Sequence, residues 1–497
     1  MTATAVSASG STHGAARRLP APLPFPLAAA EQLANPQLRA NLRRATSTIR
    51  AKRALRQAET PDWEELRAAA AAIKDRTLRH LDHYLEQAEA ALIEAGAQVH
   101  WARDAAEANA IVAGLVRAAG ATEVVKVKSM LTQEIGLNDA LRAAGITAFE
   151  TDLAELIVQL GHDTPSHILV PAIHRNRAEV REIFLGEMGR AGVPAPPGLT
   201  DDPQELAAAA RAHLREKFLR AKVGVSGANF LVAETGTLAV VESEGNGRMC
   251  LTLPQTLISV VGIEKLVPTF ADLEVFLRLL PRSSTGERMN PYTSMWTGVT
   301  PGDGPSDVHV VLVDIGRLRA LAEPPARPML RCIRCSACMN VCPVYEKVGG
   351  HAYGSVYPGP IGIVLTPQLR GIETALDRSL PFASTLCAAC ADVCPVKIPL
   401  PDLIVRQRHK VALAKAADPR PHLEVAAMAG AGWMFARGWR MGLVGRALAL
   451  GGRLLRLVGR RSIGPLPWPA SRWTRARDLP LPPAESFRAG WRRGQRS

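Results

Sequence analysis

Residues 332–345 read Cys332-Ile-Arg-Cys335-Ser-Ala-Cys338-Met-Asn-Val-Cys342-Pro343-Val-Tyr345, and residues 386–398 read Leu386-Cys387-Ala-Ala-Cys390-Ala-Asp-Val-Cys394-Pro395-Val-Lys-Ile398. The first stretch has the C-x2-C-x2-C-x3-C-P spacing of two-cluster ferredoxins, in which three thiolates on one tight loop meet three irons of a cubane. The fourth cysteine, followed by a proline that turns the chain, serves the other cluster. Zinc is the competing reading of paired C-x2-C units, but four cysteines within eleven residues suit a single tetrahedral ion poorly. The second stretch repeats the pattern without its leading cysteine, and Ser384 occupies that place. If the ligands cross over, cluster one takes Cys332, Cys335, Cys338 and Cys394, and cluster two takes Cys342, Cys387 and Cys390. The remaining corner of cluster two is either empty, giving three irons, or closed by Ser384, water or a partner's ligand.

Of eight cysteines in 497 residues, seven lie in these motifs, which excludes a disulfide scaffold. Cys250 stands apart and reads as a small buried hydrophobe. The 44 residues between Cys342 and Cys387 exceed what a compact ferredoxin uses, and the 369–380 region has helical character. The expectation is an all-α, two-cluster ferredoxin domain over 329–418.

Upstream, Glu323-Pro-Pro-Ala-Arg-Pro328 reads as a stiff linker, 321–328. Before it, short apolar runs alternate with helical spacing. Val124–Val127, Ile168–Val170, Phe230–Ala233, Thr237–Val241, Ile258–Gly262 and Val308–Asp314 read as strands, and Ala105–Ala119 and Asn176–Met188 as helices. This alternation predicts an α/β domain with a largely parallel sheet, 51–320 with its N-terminal helices. Thr60 reads as an N-cap with Pro61 at the first helical position, opening a helical tract that ends near Gly96.

Residues 1–50 read as a flexible arm, rich in small residues and proline. Within it Arg17-Arg18 precede an apolar stretch, but prolines at 20, 22, 24 and 26 break it and Glu31 follows, so an export signal is not the reading and a cytoplasmic location is expected. At the other end, residues 419–497 form an arginine-rich extension. From 421 onward it carries 14 arginines against Glu424, Asp478 and Glu485, so most of the net +14 sits there. A uniformly basic nucleic-acid binder would not concentrate its charge this way. Docking on an acidic partner, or a peripheral contact with a membrane surface, is the expectation, because no run reaches the roughly 18 apolar residues of a span.

With these features in view, the cysteine motifs resemble the lactate utilization protein B family. So do Gly349-Gly-His-Ala-Tyr-Gly-Ser-Val-Tyr-Pro-Gly-Pro-Ile-Gly362, Lys126-Val-Lys-Ser-Met-Leu-Thr-Gln-Glu-Ile-Gly-Leu-Asn138, Asn229-Phe-Leu-Val-Ala-Glu-Thr-Gly-Thr237 and Ser294-Met-Trp-Thr-Gly-Val-Thr-Pro-Gly-Asp-Gly304. The resemblance covers roughly residues 55–460. It implies an α/β domain of sugar-isomerase/CoA-transferase-like fold joined to a ferredoxin module with two iron–sulfur clusters, [4Fe-4S] or, for cluster two, [3Fe-4S]. It further implies a three-component system oxidising L-lactate to pyruvate, with a cysteine-rich iron–sulfur subunit and a smaller lactate-utilisation-domain subunit as partners.

No G-x-G-x-x-G after a strand and no G-x-x-x-x-G-K-[ST] occurs, which weakens a nicotinamide or nucleotide enzyme. A hydroxy acid needs a cation for its carboxylate and a base for its hydroxyl proton. Lys128, at the C-terminal end of a predicted strand, is the candidate cation. Glu234, before Thr235-Gly-Thr237, is the candidate base, against a purely structural turn glutamate. His174 and Arg175 are weaker candidates for orienting a carboxylate, and His351 lies in the glycine-rich loop beside cluster one, each against a structural reading. Glu242-Ser-Glu-Gly-Asn-Gly247 faintly resembles a CoA-transferase glutamate motif, so acyl transfer at Glu244 with redox-sensing clusters is one alternative. A scaffold docking through its basic tail is the other.

Overall fold

A strand buried on both faces is apolar along most of its length. The runs at 256–262 and 307–313 have that character, with Ser259 and His309 as their internal exceptions, and they lie within the parallel sheet of the α/β domain. The computed structural model describes residues 23–420, 422–467, 470–474 and 477–494. Ten strands follow the chain before the cysteine motifs: β1 (Gln98–Ala102), β2 (Glu123–Lys126), β3 (Thr147–Glu150), β4 (Val223–Ser226), β5 (Phe230–Val232), β6 (Leu238–Glu242), β7 (Thr256–Gly262), β8 (Leu266–Val267), β9 (Tyr292–Trp296) and β10 (Asp307–Val313). Six of them form a parallel sheet in the order β1-β10-β7-β4-β2-β3. A second sheet, β8-β5-β6-β9, runs antiparallel from β5 to β9. In the parallel sheet the chain steps from β2 out to β3, then returns to the other side of β2 as β4. The direction of winding therefore reverses between β2 and β4, and a crevice opens at their carboxyl ends.

The predicted helices at 105–119 and 176–188 form as Ala105–Ala118 and Arg177–Ala191. Asp104 caps the first by accepting from the Glu107 amide, and Asn176 with Glu179 closes a capping box on the second. Ile168–Val170 departs from expectation. His167 Nδ1 accepts from the Leu169 and Val170 amides at 3.0 and 3.1 Å, which removes those groups from any ladder. Ile168 is buried against the ferredoxin core rather than within a sheet, and its apolar neighbours mimic a strand for that reason.

The arm prediction needs correction as well. Residues 1–22, with Arg17-Arg18, lie outside the described residues, but α1 (Phe25–Leu33) and α2 (Pro36–Ala58) are helices. Pro26 and Pro36 sit in their first turns, where a missing N–H costs nothing, and Asn35 caps α2 by accepting from Leu38 N. Their apolar residues Phe25, Ala29, Leu38 and Leu42 pack on the ferredoxin region, and Phe25 N donates to Ser379 Oγ at 2.8 Å. The Thr60 hydroxyl donates back to Arg56 O and so closes α2. The next helix, α3 (Trp63–Arg79), starts two residues later than expected, with Asp62 at its N-cap. A break at His80 separates α3 from α4 (Leu81–Glu94).

The proline-rich segment at 321–328 does not set two bodies apart. Glu323 accepts from Arg406 and Gln368, Ala326 is buried, and residues through His409 form one compact unit. Within that unit the cysteine region is helical as predicted, including Gly359–Arg370, Ala375–Ser379 and the start of Leu400–Ala417.

Lys410–Ser497 forms a second unit. It contains helices Leu423–Phe435, Gly438–Leu457 and Phe487–Gly494 and a two-residue antiparallel pair, Ser462–Ile463 with Leu479–Pro480. Among the described residues no helix is long and apolar enough to cross a membrane.

Candidate functional site

The two cysteine motifs adopt the same local backbone. Arg334 and Ser336 in the first, and Leu386 and Ala388 in the second, all take left-handed conformations, with φ between 57° and 66°. Each pair is followed by one short helical turn, Ala337–Asn340 or Ala389–Asp392. Non-glycine residues pay for that conformation only where the surroundings hold it, and alternating handedness turns successive amides inward into an anion-binding nest. Ser384 falls where Cys332 stands in the first motif.

Tertiary structure sorts the thiols into two groups. Burial pushes the Cys335 thiol up to about 12, with Cys394 and Cys332 adding to it, and raises Cys338 too, with Cys332, Cys335 and Cys394 adding to it. In the second group burial raises Cys390 to about 12, with Cys342 and Cys387 next in effect. Cys342, Cys387, Cys390 and Ser384 line one small cavity with Pro360 and Ile404. Backbone amides are aimed at the sulfurs, Ile398 N approaching Cys394 Sγ at 3.4 Å. Buried thiols packed together repel once ionised, unless cations replace their protons; grouped sulfurs ringed by amides fit a bound iron–sulfur core.

A cavity of about 420 Å3 opens at the carboxyl ends of β2, β4 and β7, the edge where the winding reverses. Lys128, the predicted cation, lines it, donating to Leu169 O at 2.6 Å with Asp152 at 3.9 Å. A Cβ at Gly227 would collide with Ser129 Oγ, so the glycine lets β4 end against the residue after Lys128. Glu244 also lines the cavity and accepts from Leu153 N at 3.0 Å. Burial, with Asp152 next, raises its carboxyl to about 7.

One wall is an ion network that the sequence did not reveal. Arg317, 1% exposed, donates to Glu264 Oε2 at 2.8 Å and through both terminal nitrogens to Glu134, at 2.8 Å each. Glu264 also accepts from Arg334 at 3.3 Å, and Lys74 donates to its carbonyl. Burial alone would raise Glu264; Arg317 and Arg334 outweigh it and hold the carboxyl below the usual range. Arg334 stacks 4.6 Å from the Tyr357 ring, whose hydroxyl donates to Glu134. Arg334 lies between Cys332 and Cys335, so the first cysteine loop itself forms part of the cavity wall.

Other candidates are elsewhere. Glu234 does not line the cavity: it accepts from Phe270 N at 3.0 Å, at the start of the helix Phe270–Ser284. Next to it Gly236, with φ of +68°, abuts the backbone of Leu92, which explains the Thr-Gly-Thr turn structurally. Glu242 accepts from the Gly247 and Arg248 amides at 2.7 and 2.6 Å, so both carboxylates of that motif accept from backbone amides, Glu244 from Leu153. His174 and Arg175 both bind Asp163, at 2.8 and 2.6 Å, while His351 reaches Thr164 O at 2.7 Å. That set ties the α/β domain to the glycine-rich loop. Cys250 is buried beside Thr151. Arg317, Glu264 and Lys265 went unread because none belongs to a spaced motif, and Arg334 because it occupies a position that the cysteine spacing leaves open; the one sequence signal was a Glu-Lys pair directly after a strand.

These features agree with comparison to known proteins. A LUD domain model matches residues 85–313, and a 4Fe-4S dicluster domain model matches residues 328–398. Over 445 residues the chain is 42% identical to "Lactate utilization protein B" of Oceanobacillus iheyensis, covering 87% of this chain and 88% of that one. It is 41% identical over 474 residues to "Lactate utilization protein B 1" of Bacillus mycoides, with 94% and 95% covered. It is also 41% identical over 478 residues to the "Uncharacterized electron transport protein YkgF" of Escherichia coli, again with 94% and 95% covered. Among solved structures, a duf162 family protein from Deinococcus radiodurans aligns with 47% of this chain and 98% of its own, at 16% identity and a TM-score of 0.27. The chain belongs to the lactate utilization protein B family.

Proposed function

We propose that this chain is the iron–sulfur electron-transfer component of a system that oxidises L-lactate to pyruvate. In this reading Cys332, Cys335, Cys338 and Cys394 hold cluster one, and Cys342, Cys387 and Cys390 hold cluster two. Both are [4Fe-4S], or cluster two is [3Fe-4S], since its fourth corner has no cysteine and Ser384 is the nearest replacement in sequence. Such clusters take up and release electrons singly. The chain's own part is to bury the sulfurs, aim amides at them and bring the α/β cavity against the first loop.

One observation carries the reading: Arg334, inside the first cysteine loop, lines the cavity at the sheet's carboxyl edge. A ligand there would lie beside cluster one. The names of the relatives, lactate utilization and electron transport, agree with it. A cysteine-rich iron–sulfur subunit and a smaller subunit with the same α/β domain are the partners this system calls for, in the cytoplasm. The sugar-isomerase/CoA-transferase-like relationship of the α/β domain belongs to the same proposal, supported by a parallel sheet whose ligand edge is the carboxyl end.

The test is anaerobic purification with iron and sulfide counted per chain, then electron paramagnetic resonance before and after L-lactate. Seven or eight irons, reduced by lactate once the partner subunits are added, is the expected outcome. Zinc in place of iron, or clusters that lactate never reduces with all partners present, overturns the proposal.

A further inference from the structure

A guanidinium taken out of water needs an opposite charge, and the arginines of α2 differ in whether the protein supplies one. Arg50 pairs with Glu346 at 3.1 Å and Arg56 with Glu59 at 2.6 Å. Arg53, one turn from each, is 9% exposed and pairs with no carboxylate among the described residues. It donates from Nη2 to Val393 O at 2.9 Å, its Nε is buried without an acceptor, and its guanidinium lies 5.8 Å from the centre of the Trp63 ring. A carbonyl and an aromatic face carry no net charge, so the position of this cation calls for an anion.

The groups that answer it are sulfurs. Burial lowers the Arg53 guanidinium below its ordinary value, Cys335 draws it back up, Arg67 lowers it further and Cys394 again raises it. Cys335 and Cys394 are buried and come from different motifs. As thiols they leave Arg53 uncompensated; as thiolates on iron they supply the missing negative charge. Arg67, on α3, approaches the same turn, donating to Cys394 O at 3.0 Å and Asp392 O at 2.9 Å, but it is paired with Glu64. Lys74, Lys265 and Arg334, beside Cys332, have Glu264 among them. Arg53 differs from all four in having no carboxylate of its own among the described residues.

The second cysteine group has other neighbours. After burial, what acts on Cys342 and Cys390 is backbone amides, other thiols and the Tyr353 hydroxyl, and Cys387 is exposed. A fixed charge in a low-dielectric interior acts most strongly on the nearer cluster. Taking up an electron adds one negative charge to a cluster and its thiolates and breaks no bond of the chain, so a cation beside it favours the reduced form.

We propose that Arg53 is the counter-ion of cluster one, raising the reduction potential of that cluster while leaving cluster two as it is. The inference rests on the reading above that Cys335 and Cys394 hold one iron–sulfur cluster; it does not depend on lactate. Helix α2 thereby delivers charge as well as apolar cover to the ferredoxin region, and an electron is held more firmly on the cluster whose loop walls the cavity.

The experiment is potentiometric reduction of the anaerobically purified full chain, with dithionite as the electron donor and the paramagnetic signals of both clusters followed against the applied potential. Cys387→Ser, in which cluster one remains, assigns the signals. Arg53→Met, similar in length and uncharged, is expected to lower the reduction equilibrium of cluster one by about tenfold or more, which is about 59 mV for one electron, and to leave cluster two unmoved. Arg53→Gln keeps an N–H donor without the charge and is expected to behave as Arg53→Met. Arg53→Lys keeps the charge and is expected to retain most of the potential. A residue that merely held the second cysteine loop would alter iron content, counted on every variant, and not the potential of clusters that do load.

An unmoved potential in Arg53→Met with both clusters loaded, a shift confined to cluster two or shared equally, or a fall in Arg53→Lys as large as in Arg53→Met overturns the inference. If the neutral variants fail to load cluster one, loading by Arg53→Lys upholds the need for charge, and failure of all three variants overturns it. A wild-type chain without iron removes the electron-transfer reading and this inference with it. Two loaded clusters whose potentials ignore Arg53 leave that reading standing and remove the inference alone; a shifted potential in clusters that lactate and partners never reduce does the reverse.

Discussion

Replacing Arg317 by methionine removes the centre of the ion network between the α/β sheet and the first cysteine loop. Arg317 and Glu264 are 1% and 2% exposed, so water cannot solvate what is left behind. Three charge-assisted hydrogen bonds of 2.8 Å disappear together, one to Glu264 and two to Glu134. Glu264 keeps Arg334 at 3.3 Å, a longer bond than the one lost, and among the described residues Glu134 keeps only the Tyr357 hydroxyl. Removing one member of a buried ion pair costs about 3–5 kcal/mol, chiefly through the stranded charge. Glu264→Gln alone should cost less than Arg317→Met, and the double variant should cost less than the two losses added. Cluster-containing proteins unfold irreversibly, so the assay is the rate of unfolding in urea under anaerobic conditions, followed by far-ultraviolet circular dichroism and by cluster absorbance. If the whole loss appears in that rate, Arg317→Met unfolds roughly a hundred- to several-thousandfold faster. A change under about fivefold, or strictly additive effects of the two single variants, would refute the claim that this network joins the two regions.

Three other outcomes are expected. Cys394→Ser should remove one cluster and leave the other, and Cys387→Ser the converse, so that their resonance spectra are complementary; loss of the same signal in both would show that the ligands do not cross over between motifs. Lys126 and Glu150 form a buried pair at 2.9 Å across β2 and β3, so Lys126→Met should destabilise by about 3–5 kcal/mol, read as faster unfolding in urea, and Lys126→Met with Glu150→Leu should recover most of it. His167 is held neutral by burial, its folded value lowered from 6.5 to about 4. The unfolded chain therefore binds the proton first, and stability present above about pH 6.5 is lost as pH falls towards 4, by about 3 kcal/mol at most. A His167→Gln variant should show a flatter stability curve across that window, and an equally steep one would count against the assignment.

Elements defined by neighbours in the chain were legible, and those defined by neighbours in space were not. The helices at 105–118 and 177–191 carry their own caps and periodicity. Strands β7 and β10 announce themselves as predominantly apolar runs, broken inside only by Ser259 and His309, because both faces are covered. Ile168–Val170 shows the same composition for another reason, packing against a different region while His167 occupies its amides. The prolines of α1 and α2 suggested an arm because a first-turn proline and a helix-breaking proline look alike in one dimension.

Of the candidate site, the cysteines could be read directly, since a metal core a few ångströms wide demands ligands at fixed short spacings on one loop. Lys128 could be read from its place at a strand end. Glu234 had two readings because a turn glutamate and a catalytic one share the same local sequence, and only the fold shows that it faces a helix terminus, in keeping with the structural one.

By itself, then, the sequence determined the cysteine chemistry, the α/β alternation and the concentration of charge in the last 77 residues. Tertiary structure alone decided that Glu134, Glu264, Arg317 and Arg334 meet and that the first cysteine loop forms a wall of the cavity. The physical reason is range: backbone geometry ties together residues a few positions apart, whereas Glu134 and Arg317 are 183 positions apart and are joined only by the packing that buries them both.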